Sequence, residues 1–430
     1  MAKISPFKGV LYNKKKIKNI GAVTAPPYDV ISERMRDELC RAHSHNIVRV
    51  ILGREPASGG ARRDKYKTAA GLLLKWMRQG VLKKDKTPSF YIYEQEYAYK
   101  GAIKKRIGFI CLMRIEDPAS SLVLPHEYTF PKPKEDRMNL IRATKANTSP
   151  IFCIFEDTGG AVTGIIRSYA RGRRPEVEVS VEGVGHRIWR MREARFISKI
   201  KKGLDDKQVF IADGHHRYEV ALGFRDEMRK KIGARRARKF DNVMVYLSNL
   251  TDQGLTIFST YRVVKDLGAA KWPEVKKKLE KYFYVEEAKD KDAMFKGLEA
   301  AGDTYAFGVF FKNRRFYLLR LKDEAVLDKV ISVKKTREWR KLNVTVLHFL
   351  IFGHILRIDK FSSNDRNIIY TRDEDHAIDL VGSGGCDIAF FQLPTKISQV
   401  KNIAANGDRM PHKSTYFYPK LLTGLVLNKP

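Results

Sequence analysis

An α+β (mixed α/β) fold of two packed lobes is what this chain predicts, and three observations carry the prediction. Short β-branched and aromatic runs alternate with segments of helical periodicity from end to end. Gly, Pro and Asn clusters separate them at short intervals, with no internal repeat and no long low-complexity linker. The 430 residues are 43% hydrophobic and 11% aromatic, enough for a substantial core.

The elements follow in order. Residues 24–29 form a loop, 32–43 a helix with Ser32 as N-cap, and 46–52 a β-branched strand. Residues 64–79 place Tyr66, Ala69, Ala70, Leu73, Leu74 and Met77 near helical spacing and stop at Gly80. Two strands, 90–97 and 106–113, read as a hairpin turning near Lys100 and Gly101. Pro131 starts a helix to about residue 146, because proline suits the first helical position and acidic residues favour the first turn. The run 151–155 is a buried strand, followed by a Gly159-Gly160 turn, a helix over 162–169 and strands within 176–191. Val209 to Ala212 is a strand that breaks at Asp213-Gly214 and restarts as a helix headed by His215, His216 and Arg217. That helix is expected to continue through the basic run 229–239. Beyond residue 262 the chain predicts a basic amphipathic helix (272–283), a strand pair across Asn313 (305–321) and an apolar helix (344–355). Strands at 368–370 and 388–393 and a helix over 397–405 follow. We place the lobes at 1–265 and 266–430.

Composition narrows the function. No apolar run approaches the about 18 residues of a membrane span, and the N-terminus has no apolar signal core, so the cytoplasm is the expected location. Cys40, Cys111, Cys153 and Cys386 lie far apart, which fits buried thiols and argues against disulfides or a structural zinc site. A net charge of +33 is compatible with phosphorylated ligands, with nucleic acid or with a basic proteome; no helix-turn-helix, zinc-finger or RNA-recognition signature accompanies it, so a solvated basic face is the favoured reading of its densest run. G-x-S-x-G, H-E-x-x-H and the protein-kinase signature set are also missing. Gly382-Ser383-Gly384-Gly385 lacks a Walker lysine and reads as a turn, and His348 reads as a core histidine.

Phosphate chemistry remains, at two places. The start of a helix has unpaired N–H groups and partial positive charge, so Gly214, His215, His216 and Arg217 suit an anionic oxygen. The plainer alternative is an ordinary connection with Asp213 as N-cap and exposed histidines. His126, Glu127, Lys134, Glu135, Asp136 and Arg137 crowd a loop and helix start. There Glu127 or Asp136 could hold magnesium or take a hydroxyl proton, and Arg137 could neutralise a phosphate; the alternative is a solvated loop with a charge-complemented helix. Tyr28 and Asp29, on a rigid proline turn, are candidates for gripping a small polar substrate.

Seven blocks in order are recognisable: 6–9, 25–31, 125–127, 133–137, 146–152, Asp213-Gly214-His215-His216-Arg217-Tyr218-Glu219, and 410–420. Together they resemble domain-of-unknown-function family 1015 over nearly the whole chain. His412 departs from the glutamine expected there, and the basicity is unusual for the family. The Asp-Gly-His-His-Arg block resembles the strand-turn-helix corner of the ParB/sulfiredoxin-like superfamily, which includes partition proteins and free serine kinases. That resemblance implies a ParB/sulfiredoxin-like core that moves a phosphoryl group from ATP, with ADP or CTP as alternatives, to the hydroxyl of free L-serine. Under it, Gly214, His215, His216 and Arg217 would bind polyphosphate, Lys134 and Arg137 would stabilise the transferring group, and Asp136 with Glu127 would hold Mg2+. Glu127, His126 and Asp213 are the base candidates, with His216 a further catalytic candidate. A nucleotide-gated nucleic-acid binder and a metal-dependent phosphatase or nuclease are the competing classes. No membrane partner is expected, and the oligomeric state is open.

Overall fold

The computed structural model describes residues 2–54, 64–265, 267, 271–302, 304–331, 333–358 and 367–430. The fold is α+β, in two compact units. The first comprises 1–125, 129–256 and 419–430, and the second 126–128 and 257–418. The division thus falls at 256/257 rather than at 265, and the last twelve residues return to the first unit.

A mixed sheet organises the first unit. Its strands are β1 (Ile4–Ser5), β2 (Phe90–Tyr99), β3 (Ala102–Arg114), β4 (Val123–Pro125), β5 (Ile151–Phe155), β6 (Val177–Val181), β7 (Val184–Met191), β8 (Val209–Asp213) and β9 (Asn242–Asn249). They run β4-β8-β5-β9-β3-β2-β7-β6, with β1 beside β3. The β4/β8 and β5/β9 pairs are parallel and the others antiparallel. The β2–β3 hairpin turns on Lys100 at φ 49° and Gly101 at φ 77°, the positive pair that a tight hairpin turn requires. Alternation along β2 then sends Phe90 and Ile92 to one face and Tyr91, Tyr93 and Gln95 to the other. The apolar face is closed by Val162, Ile166, Ile200, Leu204 and Tyr218 from three helices. The other face is polar and aromatic, and the C-terminal segment is tied to it: Arg106 donates to the Pro419 carbonyl, and Gln95 Nε2 to the Lys420 carbonyl at 2.9 Å.

The helices used below are α1 (Glu33–Ala42), α2 (Val48–Ile51), α3 (Lys65–Arg78), α4 (Pro131–Thr144), α5 (Ala161–Ala170), α6 (Ala194–Leu204), α7 (His215–Ile232) and α8 (Ala234–Ala237). Ser32 caps α1 by accepting from the Met35 N–H at 3.2 Å. Three expectations fail for local reasons. Residues 46–52 are not a strand: the Asn46 side chain accepts from the Val48 N–H and donates to the Ala22 and Thr24 carbonyls, turning the chain into α2. The helix from His215 does not run through 229–239, because Gly233 at φ 79° ends it and α8 starts afresh. The helix at Trp272 stops at Leu279, and Phe283 opens a strand.

The second unit is built on an antiparallel sheet of β10 (Tyr261–Val264), β11 (Phe283–Ala288), β12 (Ala306–Phe311), β13 (Arg315–Leu321), β14 (Ile368–Thr371) and β15 (Ile388–Phe391), in the order β11-β13-β12-β15-β10-β14. The expected apolar helix is there as Asn343–Val346 continuing into a π-helical stretch, Leu347–Ile355, and His348 is a buried residue of it. Cys111, Cys153 and Cys386 are buried and Cys40 partly so, all as free thiols. Among the described residues no helix is long and apolar enough to cross a membrane.

Candidate active site

Strand β8 delivers Asp213 to its end, and Gly214, at φ 95°, turns the chain into α7. Glycine is required twice over: the backbone lies in the left-handed region, and a Cβ would stand 2.7 Å from Arg217 Nη2. The N-cap position of α7 is Gly214, which makes no side-chain cap. Asp213 is therefore not the N-cap. Its Oδ2 pairs with Arg217 Nη2 at 2.8 Å and its Oδ1 with Lys420 Nζ at 2.7 Å. Burial by itself would raise the Asp213 carboxyl, but Lys420 and Arg217 together hold it well below the usual carboxylate range. A carboxylate so held is a structural anion and a weak base.

Arg217 is fastened on three sides, through Asp213, Ser149 Oγ at 3.1 Å and the Pro150 carbonyl. Its side chain is 13% exposed, and its Nε is buried without a hydrogen-bond partner among the described residues. His215 is buried beside it. His216 is spoken for: its Nε2 accepts from the Phe130 N–H at 2.9 Å, and its ring stacks on Phe130. Burial is the main reason its imidazole sits below the usual value, so it is a neutral acceptor rather than a cation for phosphate.

Helix α4 supplies a second arginine. Arg137 is buried, stacks over the Tyr28 ring at 4.2 Å and donates to the Ile51 carbonyl and to Asp136. Its Nη1 makes no hydrogen bond among the described residues. Burial, followed by the neighbouring Asp29, pushes the Tyr28 phenol up to about 12, so it stays protonated. Lys134 pairs with Glu219 of α7 at 3.0 Å, which braces the two helices. Asp29 is exposed and makes no hydrogen bond or ion pair among the described residues.

Arg137 and Arg217 line one small open cleft of about 50 Å³, with Tyr28, Ile51, Leu140 and Ser149. Its mix of apolar walls and few charged groups is typical of small-molecule sites. Sequence reading named Tyr28, Arg137 and Arg217. It missed Ser149, Lys65 and Lys420, although Ser149 and Lys420 lie inside recognised blocks.

Not every expected residue is brought here. His126 and Glu127 belong to the second unit. There, buried His126 contacts Thr415 Oγ1 through Nε2 at 3.0 Å, and Glu127 Oε1 lies 3.6 Å from His412 Nδ1. The proposed magnesium ligands also fit poorly. Asp136 is committed to Arg137, to Lys65 at 3.3 Å and to the Tyr66 hydroxyl at 2.9 Å. Burial opposes the Asp136 charge, but Arg137 outweighs it and keeps the carboxyl below its usual value. Among the described residues no group of three His, Cys, Asp or Glu could hold a metal ion.

Comparison with known proteins adds the following. The family model described as Protein of unknown function (DUF1015) matches residues 4–345. A search of curated proteins found no match. Among solved structures, the chain is similar to a mutant free serine kinase in complex with AMP, at 14% identity and TM-score 0.34, covering 69% of this chain and 84% of that one. It is similar to a conserved hypothetical protein from Pyrococcus furiosus at 14% identity and TM-score 0.32, over 70% of this chain and 89% of that one. C-terminally truncated SbnI from Staphylococcus aureus is 10% identical at TM-score 0.31, over 73% and 85% of the respective chains.

Proposed function

Because this chain belongs to the DUF1015 family of proteins of unknown function, we propose an activity from its own site: a nucleotide-dependent phosphotransferase acting on a small hydroxyl acceptor. One observation carries the reading. Two nearly buried arginines, Arg137 and Arg217, line a single cleft, and each retains a guanidinium nitrogen with no acceptor among the described residues. Phosphoryl transfer asks chiefly for fixed positive charge and positioning, which such arginines supply without covalent chemistry. The start of α7 adds the positive end of a helix at the same corner.

In this reading Arg217 and the α7 amides hold the polyphosphate, and Arg137 stabilises charge on the group in transit. His216 and Asp213 act by position, the one bonded to Phe130 and the other to Arg217 and Lys420. Asp29, exposed and without a hydrogen bond or ion pair among the described residues, is the carboxylate assigned to the hydroxyl proton. Free L-serine as acceptor, with ATP or else ADP or CTP as donor, follows the motif resemblance. Magnesium is assigned no ligand among these residues.

The test is phosphoserine formation by the purified full chain, followed by mass spectrometry across ATP, ADP and CTP, with and without magnesium. The wild type should make product, and Arg137→Gln and Arg217→Gln should each reduce turnover by roughly 100-fold, the scale for loss of one transition-state donor. Nucleotide hydrolysis that ignores serine would convert the reading to a phosphatase, and no turnover with any donor would end it.

A further inference from the structure

The basic run that sequence reading noted after α7 is not used by the cleft. Between Arg229 and Phe240 the chain carries seven Lys or Arg and no Asp or Glu. Arg229 pairs with Asp241 at 2.8 Å, and the nearby Glu227 is taken by Arg142 at 2.7 Å. Lys230, Lys231, Arg235, Arg236, Arg238 and Lys239 are all exposed, and none forms an ion pair among the described residues. Gly233 redirects the chain after Ile232, so the charges spread over the end of α7, α8 and the following turn. Ala237 and Phe240 anchor that platform in a small core with Phe224 and Met228. Its cations therefore stand on fixed backbone.

Other segments bring charge to the same place. Lys145, at the end of α4, and Lys239 line one groove. Lys429 donates to the Thr144 carbonyl at 2.8 Å, and Lys84 to the Lys429 carbonyl at 2.7 Å. Partial burial and the charges of Lys145, Lys84 and Lys239 hold the Lys429 ammonium below its usual range, which reports how closely the four are gathered.

What such a face can take is limited by what it lacks. The large apolar side chains exposed among the described residues are Leu74, Ile103, Tyr128, Tyr284 and Val333, and none belongs to these segments. A bilayer would thus find nothing to insert, and single-stranded bases would find no ring to stack on. A duplex offers what the face can answer, phosphates at about 1.7 Å spacing along the axis. We propose that the face formed by residues 230–239, Lys145, Lys84 and Lys429 binds the phosphate backbone of duplex nucleic acid without reading its sequence. None of these residues lines the Arg137/Arg217 cleft, so this proposal and the phosphotransferase stand or fall separately.

Fluorescence anisotropy with labelled duplex DNA, a duplex RNA and phosphatidylserine-containing vesicles tests it on the full chain. The wild type should bind both duplexes, with log K falling against log salt at a slope of about −4 to −5, for roughly five phosphates neutralised. Arg235→Gln, Arg236→Gln, Arg238→Gln and Lys239→Gln together should flatten that slope by about 3 to 4 and weaken binding roughly 100-fold. A charge-matched control on α6, at exposed Arg195, Lys199, Lys201 and Lys202, should change it less than about threefold. Equal losses in both variants would reduce the effect to net charge and overturn the assignment. So would a slope shallower than about −1, or binding to vesicles without binding to duplex.

Discussion

Replacing Asp213 with Asn keeps the side-chain volume and removes the carboxylate that both Arg217 and Lys420 contact. Each cation is 13% exposed, so neither is well hydrated where it stands, and Arg217 has no other carboxylate partner among the described residues. Breaking one partner out of a buried pair costs about 3 to 5 kcal/mol. The Ser149 and Pro150 contacts persist, which argues for the range itself rather than more. The chain has two units, so global melting would blur the result, and the readout should be local. Hydrogen exchange of peptides spanning β8 and the first turns of α7 reports the opening of this corner. At tenfold for each 1.4 kcal/mol, exchange in the variant should be about 100-fold to a few thousand-fold faster. Adding Lys420→Met should recover part of the loss by removing the second cation. Exchange within about threefold of wild type in the single variant would refute the argument, because the carboxylate would then be compensating nothing.

Three further outcomes are expected. Since the folded Asp213 carboxyl lies below its unfolded value near 4, its contribution is present above about pH 4 and is lost as pH falls further; protection of β8 should be level from neutrality to that point and then drop, and the drop should be smaller in Asp213→Asn. His216 should stay neutral where free imidazole takes up a proton, near 6.5, with nitrogen NMR showing Nε2 unprotonated; an Nε2–H at that pH would contradict its bond from the Phe130 amide. Gly214→Ala places a side chain in the left-handed region and against Arg217, and should cost about 1 to 3 kcal/mol, with nucleotide affinity falling in step by calorimetric titration.

Much of the fold is legible in the chain because local chemistry decides it. The α+β class, the β2–β3 hairpin, the α3 stop at Gly80 and the β8–α7 corner all follow from period, caps and turn residues that act over a few positions. Where reading failed, a distant or bulkier influence prevailed. Residues 46–52 have strand propensity, but Asn46 is drawn to the Ala22 and Thr24 carbonyls, and a four-residue helix wins. In the run 229–239, a single glycine outweighs helix-favouring cations on both sides.

The candidate site divides in the same way. Sequence alone determined that Gly214 must turn a strand into a helix and that Arg217 stands in its first turn, since both follow from adjacent residues. Only tertiary structure decided their partners: Lys420 is 207 positions from Asp213, Phe130 is 86 from His216, and Ile51 is 86 from Arg137. It also decided which charges remain available, committing Asp136 to Arg137 and Lys65 and placing Glu127 with His412 in the second unit. Charge and hydrogen-bonding capacity belong to residue type and are visible in a string of letters. Whether that capacity is already spent depends on which neighbours folding brings within about 3 Å.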